Sequence, residues 1–245
     1  MTLRIAMWSG PRNISTAMMR SFSSRSDTVV SDEPFYGAYL KATGDPQPMA
    51  DAVIADMDCD WLSVASACLG PVPDGKPVWY QKQMAHHMVG PVGFDDLAGL
   101  THAFLIRDPR RVAASYAEKR EGIRPEHLGI NRQRDWFARE AERLGHAPPV
   151  VDSADVLRDP EGTLKALCAA LGVAWDPAML RWPAGRHPRD GIWASHWYDR
   201  VEASTGFDAA EQGPLPDLTP DLQAVADACM DAYRDLSAFA LRSAP

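Results

Sequence analysis

Arg12, Ser15 and Thr16 stand close together in the run Ser9-Gly10-Pro11-Arg12-Asn13-Ile14-Ser15-Thr16, and their chemistry is that of an anion site. A guanidinium beside two hydroxyls can hold a phosphate or a sulfate by charge-assisted hydrogen bonds. An ordinary turn in which Ser15 caps a helix would use the same residues. A second group of this kind is Arg107, Arg111 and Ser115, in which the last two share one helical face. Taken alone, Arg111 reads as a solvated arginine. Between the two groups stand residues suited to moving protons and stabilising charge: Asp32, Glu33, Lys82, and the pair His86-His87. Glu33 is the first choice for a base that takes a proton from an alcohol or amine; His86 or His87 is its rival. Arg12 and the loop N–H groups suit negative charge that develops on a leaving group, with Lys82 as a second candidate.

These side chains need elements to place them. Leu3, Ile5, Ala6, Met7 and Trp8 form an apolar run that predicts a buried strand. Ser9-Gly10-Pro11 turns the chain, and a helix starts at Ser15. Strand, tight loop and helix aim backbone N–H groups and the positive helix end at one point. The loop lacks the Gly-Lys-[Ser/Thr] ending of nucleotide triphosphatases. Thr28–Ser31 reads as a second strand, ended by Asp32-Glu33-Pro34. A short helix follows over Phe35–Lys41, and helical periodicity continues from Met49 to Leu69. Lys76–Tyr80 reads as a third strand running into polar Gln81-Lys82-Gln83, and His102–Ile106 as a fourth. Asp108 caps a helix expected over Pro109–Arg120. A further helix is expected over Asn131–Leu144, burying Trp136, Phe137, Ala141 and Leu144. Pro149–Asp152 is a last short strand. Asp159-Pro160 opens a helix that Gly172 stops, and Thr219-Pro220 opens another, with Leu222, Val225, Cys229, Tyr233 and Leu236 buried. Residues 183–216 show little periodicity.

Strands alternating with helices imply an α/β fold, a mostly parallel sheet covered by helices on both faces in three layers. Ligands bind beyond the carboxyl ends of such strands, which is where the loop at 9–16, Asp32-Glu33, Gln81-Lys82 and Arg107–Ser115 are expected. The 245 residues suit one large domain over 1–245. The formal net charge of −8 argues against general nucleic-acid binding. Four scattered cysteines read as reduced thiols. No apolar run approaches the roughly 18 residues needed to span a bilayer, and the first run is too short for a signal peptide. The expected location is the cytoplasm.

At this point the residues reach a resemblance. Gly10-Pro11-Arg12-Asn13-Ile14-Ser15-Thr16 after a strand resembles the loop by which sulfotransferases bind the 5′-phosphosulfate of 3′-phosphoadenosine 5′-phosphosulfate (PAPS), a family pattern of P-[KR]-S-G-[ST]-T. Arg107-Asp108-Pro109-Arg110 followed by Ser115 resembles the family's 3′-phosphate motif. Val151-Asp152, Asp159-Pro160 and Leu171-Gly172 resemble segments that follow there, so the likeness covers roughly residues 3–172. The longer string from Trp8 to Met18 also looks like a sulfotransferase-like branch found fused to plant aminotransferase domains. The resemblance implies a P-loop-like fold, PAPS as co-substrate without a metal, and a small-molecule acceptor. It puts the 5′ end of the donor on residues 10–16, the 3′-phosphate on Arg107 and Ser115, and Arg189 over that phosphate as a third ligand. Some bacterial members carry a glutamate where Glu33 stands; cytosolic members use a Lys-x-His near the position of Lys82 and His86. The family's Ser-Gly pair is Asn13-Ile14 here, so Ile14 is strained if that position needs a positive φ. Residues 34–70 and 121–148 are the expected acceptor walls, with Phe35, Tyr36, Tyr39 and Trp136 suggesting a partly apolar molecule. Two other functions share the outline. One is a nucleotide-dependent kinase or hydrolase, for which Asp32 could hold magnesium; the other is a non-catalytic module that binds adenosine 3′,5′-bisphosphate.

Overall fold

Five strands carry the molecule: β1 (Leu3–Ser9), β2 (Thr28–Asp32), β3 (Val78–Met84), β4 (Thr101–Ile106) and β5 (Val150–Asp152), hydrogen-bonded in the order β2-β3-β1-β4-β5. The computed structural model describes residues 2–209 and 214–242. The strands are short and almost continuously buried because both faces of a parallel sheet are covered. β2 pairs with β3 in parallel, with Asp32 opposite Lys82 at the carboxyl end. β4 pairs with β5 in parallel, from Phe104 opposite Val150 to Ile106 opposite Asp152. The α/β class expected from the alternation of strands and helices is the one observed.

The helices are α1 (Ser15–Ser23), α2 (Tyr36–Thr43), α3 (Ala50–Asp56), α4 (Trp61–Leu69), α5 (Pro109–Ala117) and α6 (Pro125–Leu128). They continue with α7 (Ile130–Leu144), α8 (Ser153–Arg158), α9 (Pro160–Leu171), α10 (Ala194–Trp197), α11 (Asp199–Glu202) and α12 (Pro220–Ser237). The chain falls into two compact units. The first holds the residues up to Met7 together with Thr16–Thr101 and Ala178–Phe207; the second holds Trp8–Ser15, His102–Pro177 and the chain from Asp208 on. In the first unit Phe22 of α1 stacks on Tyr80 of β3 with centroids 4.3 Å apart. Tyr36, Tyr39, Leu40 and Val53 there close a core with Trp193, Ala194 and Tyr198. In the second unit Trp8 meets the edge of Trp136 at 4.4 Å and donates from its indole nitrogen to His102 Nδ1 at 2.9 Å. α12 packs there on α5 and α7.

Several boundaries differ from the sequence expectation, each for a local reason. The helix expected over Met49–Leu69 is two helices. Met57 is extended and ends the first, and Asp60 starts the next by accepting from Ser63 N at 2.8 Å, as a short acidic side chain does at a helix cap. β3 runs through Gln81-Lys82-Gln83, which are buried strand residues and not a loop after the strand. α5 ends at Ala117, before Arg120. Leu144 is exposed, whereas α7 buries Gln133 and Glu140. The irregular stretch contains α10 and α11, and its residues 210–213 lie outside the described residues. No described helix is long and apolar enough to cross a membrane.

Candidate active site

The anion loop leaves β1 at Gly10, and the structure explains why a glycine stands there. A Cβ on Gly10 would lie 2.2 Å from the carbonyl oxygen of Leu128. No side chain fits that approach. Gln133 of α7 seals the same turn: with its amide oriented to satisfy its neighbours, it accepts from Gly10 N and donates to Trp8 O and Leu105 O, each at 3.2 Å. Asn13 is buried and donates to Leu105 O at 2.6 Å, while its Oδ1 has no hydrogen-bond partner among the described residues. Arg12 and Ile14 have φ of 55° and 48° with Asn13 not among the positive-φ residues. That alternation turns successive N–H groups toward one point, the backbone form of an anion nest. A β-branched residue at positive φ costs about 1–2 kcal/mol, so the strain expected conditionally at Ile14 is present.

Within this second unit the two anion motifs meet. Arg12 Nε donates to Ser115 Oγ at 3.0 Å, and Arg107 Nη1 donates to the carbonyl oxygen of Arg12. Asp108 caps α5 by accepting from Arg110 N at 2.9 Å, which sets the helix that carries Ser115 one turn beyond Arg111. A small recess, open to solvent, lies against Gly10, Asn13, Arg107 and Gln133, with Pro109, Val112, Leu128 and Ile130 as its apolar lining. Two arginines and a hydroxyl are thus brought together, donors of the kind that can hold an anion with more than one charge. Ser15 is buried at the start of α1, and Pro11 is buried beside Arg12. Thr16 begins the other unit.

The proton-handling residues gather in the first unit, around Lys82. Its ammonium donates to Asp32 Oδ1 at 2.9 Å, to Glu33 Oε1 at 2.5 Å and to the Tyr198 hydroxyl at 2.5 Å. The Tyr198 hydroxyl donates to Asp32 and accepts from Trp193 Nε1 at 3.2 Å. Gly191 N adds a third donor to Asp32, at 3.1 Å. Burial opposes the charge on Lys82, but Asp32, Glu33 and Tyr198 outweigh it and hold the ammonium well above the usual lysine range. Burial pushes Asp32 upward against the pull of Lys82. Three donors on that carboxylate favour its ionised form, and the pair is read as ammonium and carboxylate. Burial, with Asp32 beside it, keeps the Tyr198 hydroxyl neutral. Glu33 itself sits at φ 46°, a strained backbone at a candidate catalytic residue.

His87 stacks against both Tyr36 and Tyr39, each with centroids 4.7 Å away, and its Nε2 lies 3.9 Å from Glu33 Oε2. Burial, reinforced by Lys82, pushes its pKa down to about 3, so the ring is neutral. His86 packs edge-on against Tyr39 and against His87. Phe35, Tyr36, Tyr39 and Trp136, expected as acceptor walls, are buried in packing contacts instead. Arg189 is paired with Asp74 Oδ2 at 2.6 Å. Among the described residues, no group of three or more His, Cys, Asp or Glu is arranged to hold a metal ion. Sequence reasoning missed Tyr198 and Gln133. No local pattern marks the first, and a glutamine on a helical face carries no signal of the loop it seals.

Comparison with known proteins agrees with the motifs. The family model described as "Sulfotransferase domain" matches residues 3–240. Two Arabidopsis thaliana proteins, "Branched-chain-amino-acid aminotransferase-like protein 2" and "protein 1", are 33% and 34% identical over 213 residues, 86% of this chain. The chain spans only 37% of the length of those relatives. Among solved structures, a sulfotransferase from Alicyclobacillus acidocaldarius aligns with a TM-score of 0.56 and 13% identity, covering 100% of this chain and 98% of that one. The sulfotransferase domain from the curacin biosynthetic pathway aligns at 0.52 with 14% identity, covering 93% and 97%. At such identities the two structures speak to the fold.

Proposed function

Since the chain belongs to the sulfotransferase domain family, we propose that it takes the sulfuryl group from PAPS and passes it to a hydroxyl or amine of a small-molecule acceptor. The observation that carries the donor is the joining of the two anion motifs: Arg12 to Ser115, and Arg107 to the Arg12 carbonyl, across 103 and 95 residues of chain. A nucleotide with phosphates at both its 5′ and 3′ positions needs two such sites. The residues present fit it. The alternating backbone at 12–14, the guanidiniums of Arg12 and Arg107 and the Ser115 hydroxyl are all donors that suit phosphate oxygens. The loop Gly10–Thr16 would hold the 5′ end, with Arg107 and Ser115 on the 3′-phosphate. When bound, PAPS supplies the sulfuryl group and leaves as adenosine 3′,5′-bisphosphate. Family membership over residues 3–240 covers parts of both units and supports one sulfotransferase domain over the chain.

The protein's own part is to stabilise charge and to move one proton. Arg12 and the loop amides meet the negative charge on the leaving phosphate. Glu33 accepts the proton of the acceptor through Oε2, which makes no hydrogen bond among the described residues, while Oε1 is held by Lys82. His87, with its pKa near 3, is too weak a base at neutral pH to compete. Lys82 has all three N–H bonds committed to Asp32, Glu33 and Tyr198, which favours a role on Glu33 over one on the leaving group. Arg189, paired on the surface with Asp74, would have to exchange that partner to reach a phosphate. The donor is tested by thermal shift. Adenosine 3′,5′-bisphosphate without magnesium should raise Tm, by several degrees at ligand well above Kd, and Arg107→Ala should weaken that binding about tenfold to a hundredfold. Stabilisation by ATP with magnesium alone would contradict the reading and favour a kinase or hydrolase.

A further inference from the structure

The segment from Ala178 to Phe207 has no periodic pattern, yet it places one hydroxyl at the centre of the first unit's charged cluster. Tyr198 lies between α10 and α11 and is buried. Its hydroxyl uses its whole hydrogen-bonding capacity. It accepts from Lys82 Nζ at 2.5 Å and from Trp193 Nε1 at 3.2 Å, and it donates to Asp32 Oδ2 at 2.8 Å. Its ring also lies 4.8 Å from the Lys82 ammonium. The segment is itself pinned beside Asp32. Arg20 and Asp190 form a two-bond ion pair at 2.6 Å, with both side chains almost wholly buried, and Gly191 N donates to Asp32. Trp193 meets the edge of Tyr36 at 5.0 Å.

Lysine is a flexible four-carbon stem carrying a rotatable point charge, and its direction must be imposed from outside. Here three acceptors impose it: Asp32, Glu33 and Tyr198. We propose that Tyr198, together with Asp32, is a positioning residue that aims the Lys82 ammonium at Oε1 of Glu33 and so leaves Oε2 as the open oxygen of the base. The inference rests on the reading of Glu33 as base. Asp32 takes no proton from the acceptor in this scheme. It is the less exposed of the two carboxylates, with its side chain 1% exposed against 11% for Glu33, and three donors already occupy it. Removing the Tyr198 hydroxyl leaves Lys82 with one donor unmatched and Asp32 short of one donor. The ammonium then has reason to swing, and Glu33 loses its fixed rotamer.

The test is nuclear magnetic resonance of the Lys82 ammonium in the whole chain, with turnover measured alongside. In the wild type the ammonium should be visible as a slowly exchanging ¹⁵N–H group, assigned through its own side-chain carbons, with cross-relaxation to the Tyr198 ring. Absence of that contact overturns the inference without any variant. In Tyr198→Phe, which keeps the ring, the signal should broaden or vanish. Turnover of PAPS, followed as release of adenosine 3′,5′-bisphosphate, should fall about tenfold to a hundredfold, the scale of a slightly misplaced catalytic group. The Kd for the bisphosphate should stay within twofold. A Tyr198→Phe protein with the wild-type ammonium signal, or with wild-type turnover, contradicts the proposal, as does loss of nucleotide binding in step with turnover. Glu33→Gln keeps the two claims apart. Turnover that survives in Glu33→Gln removes the base reading, whereas turnover lost there but intact in Tyr198→Phe removes the positioning role alone.

Discussion

The two polar clusters of this molecule are built on opposite plans. Around Arg12, Arg107 and Ser115 the chain assembles cationic and hydroxyl donors, with Arg107 also lining a solvent-open recess, and tolerates strained backbone at Arg12 and Ile14. Around Lys82 it buries charge and closes it: an ammonium with every donor used, an ionised Asp32 with three donors, and a tyrosine with no capacity left. The first arrangement gathers donors; the second is closed, with Oε2 of Glu33 making no hydrogen bond among the described residues. On the proposed reading the two divide the work of group transfer into holding and proton removal.

That difference can be broken from the closed side first. Asp190→Ala leaves the Arg20 guanidinium buried and alone, and removing one member of a buried pair costs about 3–5 kcal/mol. Chemical denaturation should register that loss, and a change within 1 kcal/mol would show that the 187–193 segment is not what closes the cluster. A smaller effect comes from His87. Its folded pKa of about 3 lies below the unfolded value of 6.5, so the unfolded chain binds more protons between those pH values. Its contribution to stability is present above the unfolded value and is lost as the pH falls through that window, with a slope of up to about 1.4 kcal/mol per pH unit. His87→Gln should flatten the slope. An unchanged slope would place a titrating imidazole elsewhere.

Much of the open cluster was legible because it obeys local rules. Gly10, Arg12, Ser15 and Arg107 follow strand ends directly, and Asp108 caps the helix carrying Ser115 just as its type and spacing suggest. The positive φ at Ile14 was readable only as a condition, since a β-branched residue gives no sign of a left-handed backbone. The closed cluster was half legible. Asp32 and Glu33 follow β2 as expected. Lys82 was expected just past a strand ending at Tyr80, whereas β3 continues to Met84 and buries Gln81-Lys82-Gln83 within it. Burial of that kind depends on partners far away in sequence: Tyr198 is 116 residues from Lys82 and 166 from Asp32. No periodicity or motif announces such a contact. The aromatic residues misread as acceptor walls illustrate the same gap, for Tyr36 and Tyr39 are amphipathic side chains whose faces are spent on His87.

The division of labour is tested most directly in Glu33→Gln, which keeps size and shape and removes only basicity. Two numbers should be taken from one preparation: the Kd for adenosine 3′,5′-bisphosphate by calorimetry, and the rate of bisphosphate release from PAPS with a panel of small phenols, alcohols and amines. The account predicts a Kd within twofold of wild type and a rate lower by about a hundredfold to ten-thousandfold, the usual worth of a general base. A rate that survives, or a Kd that weakens together with the rate, would contradict it.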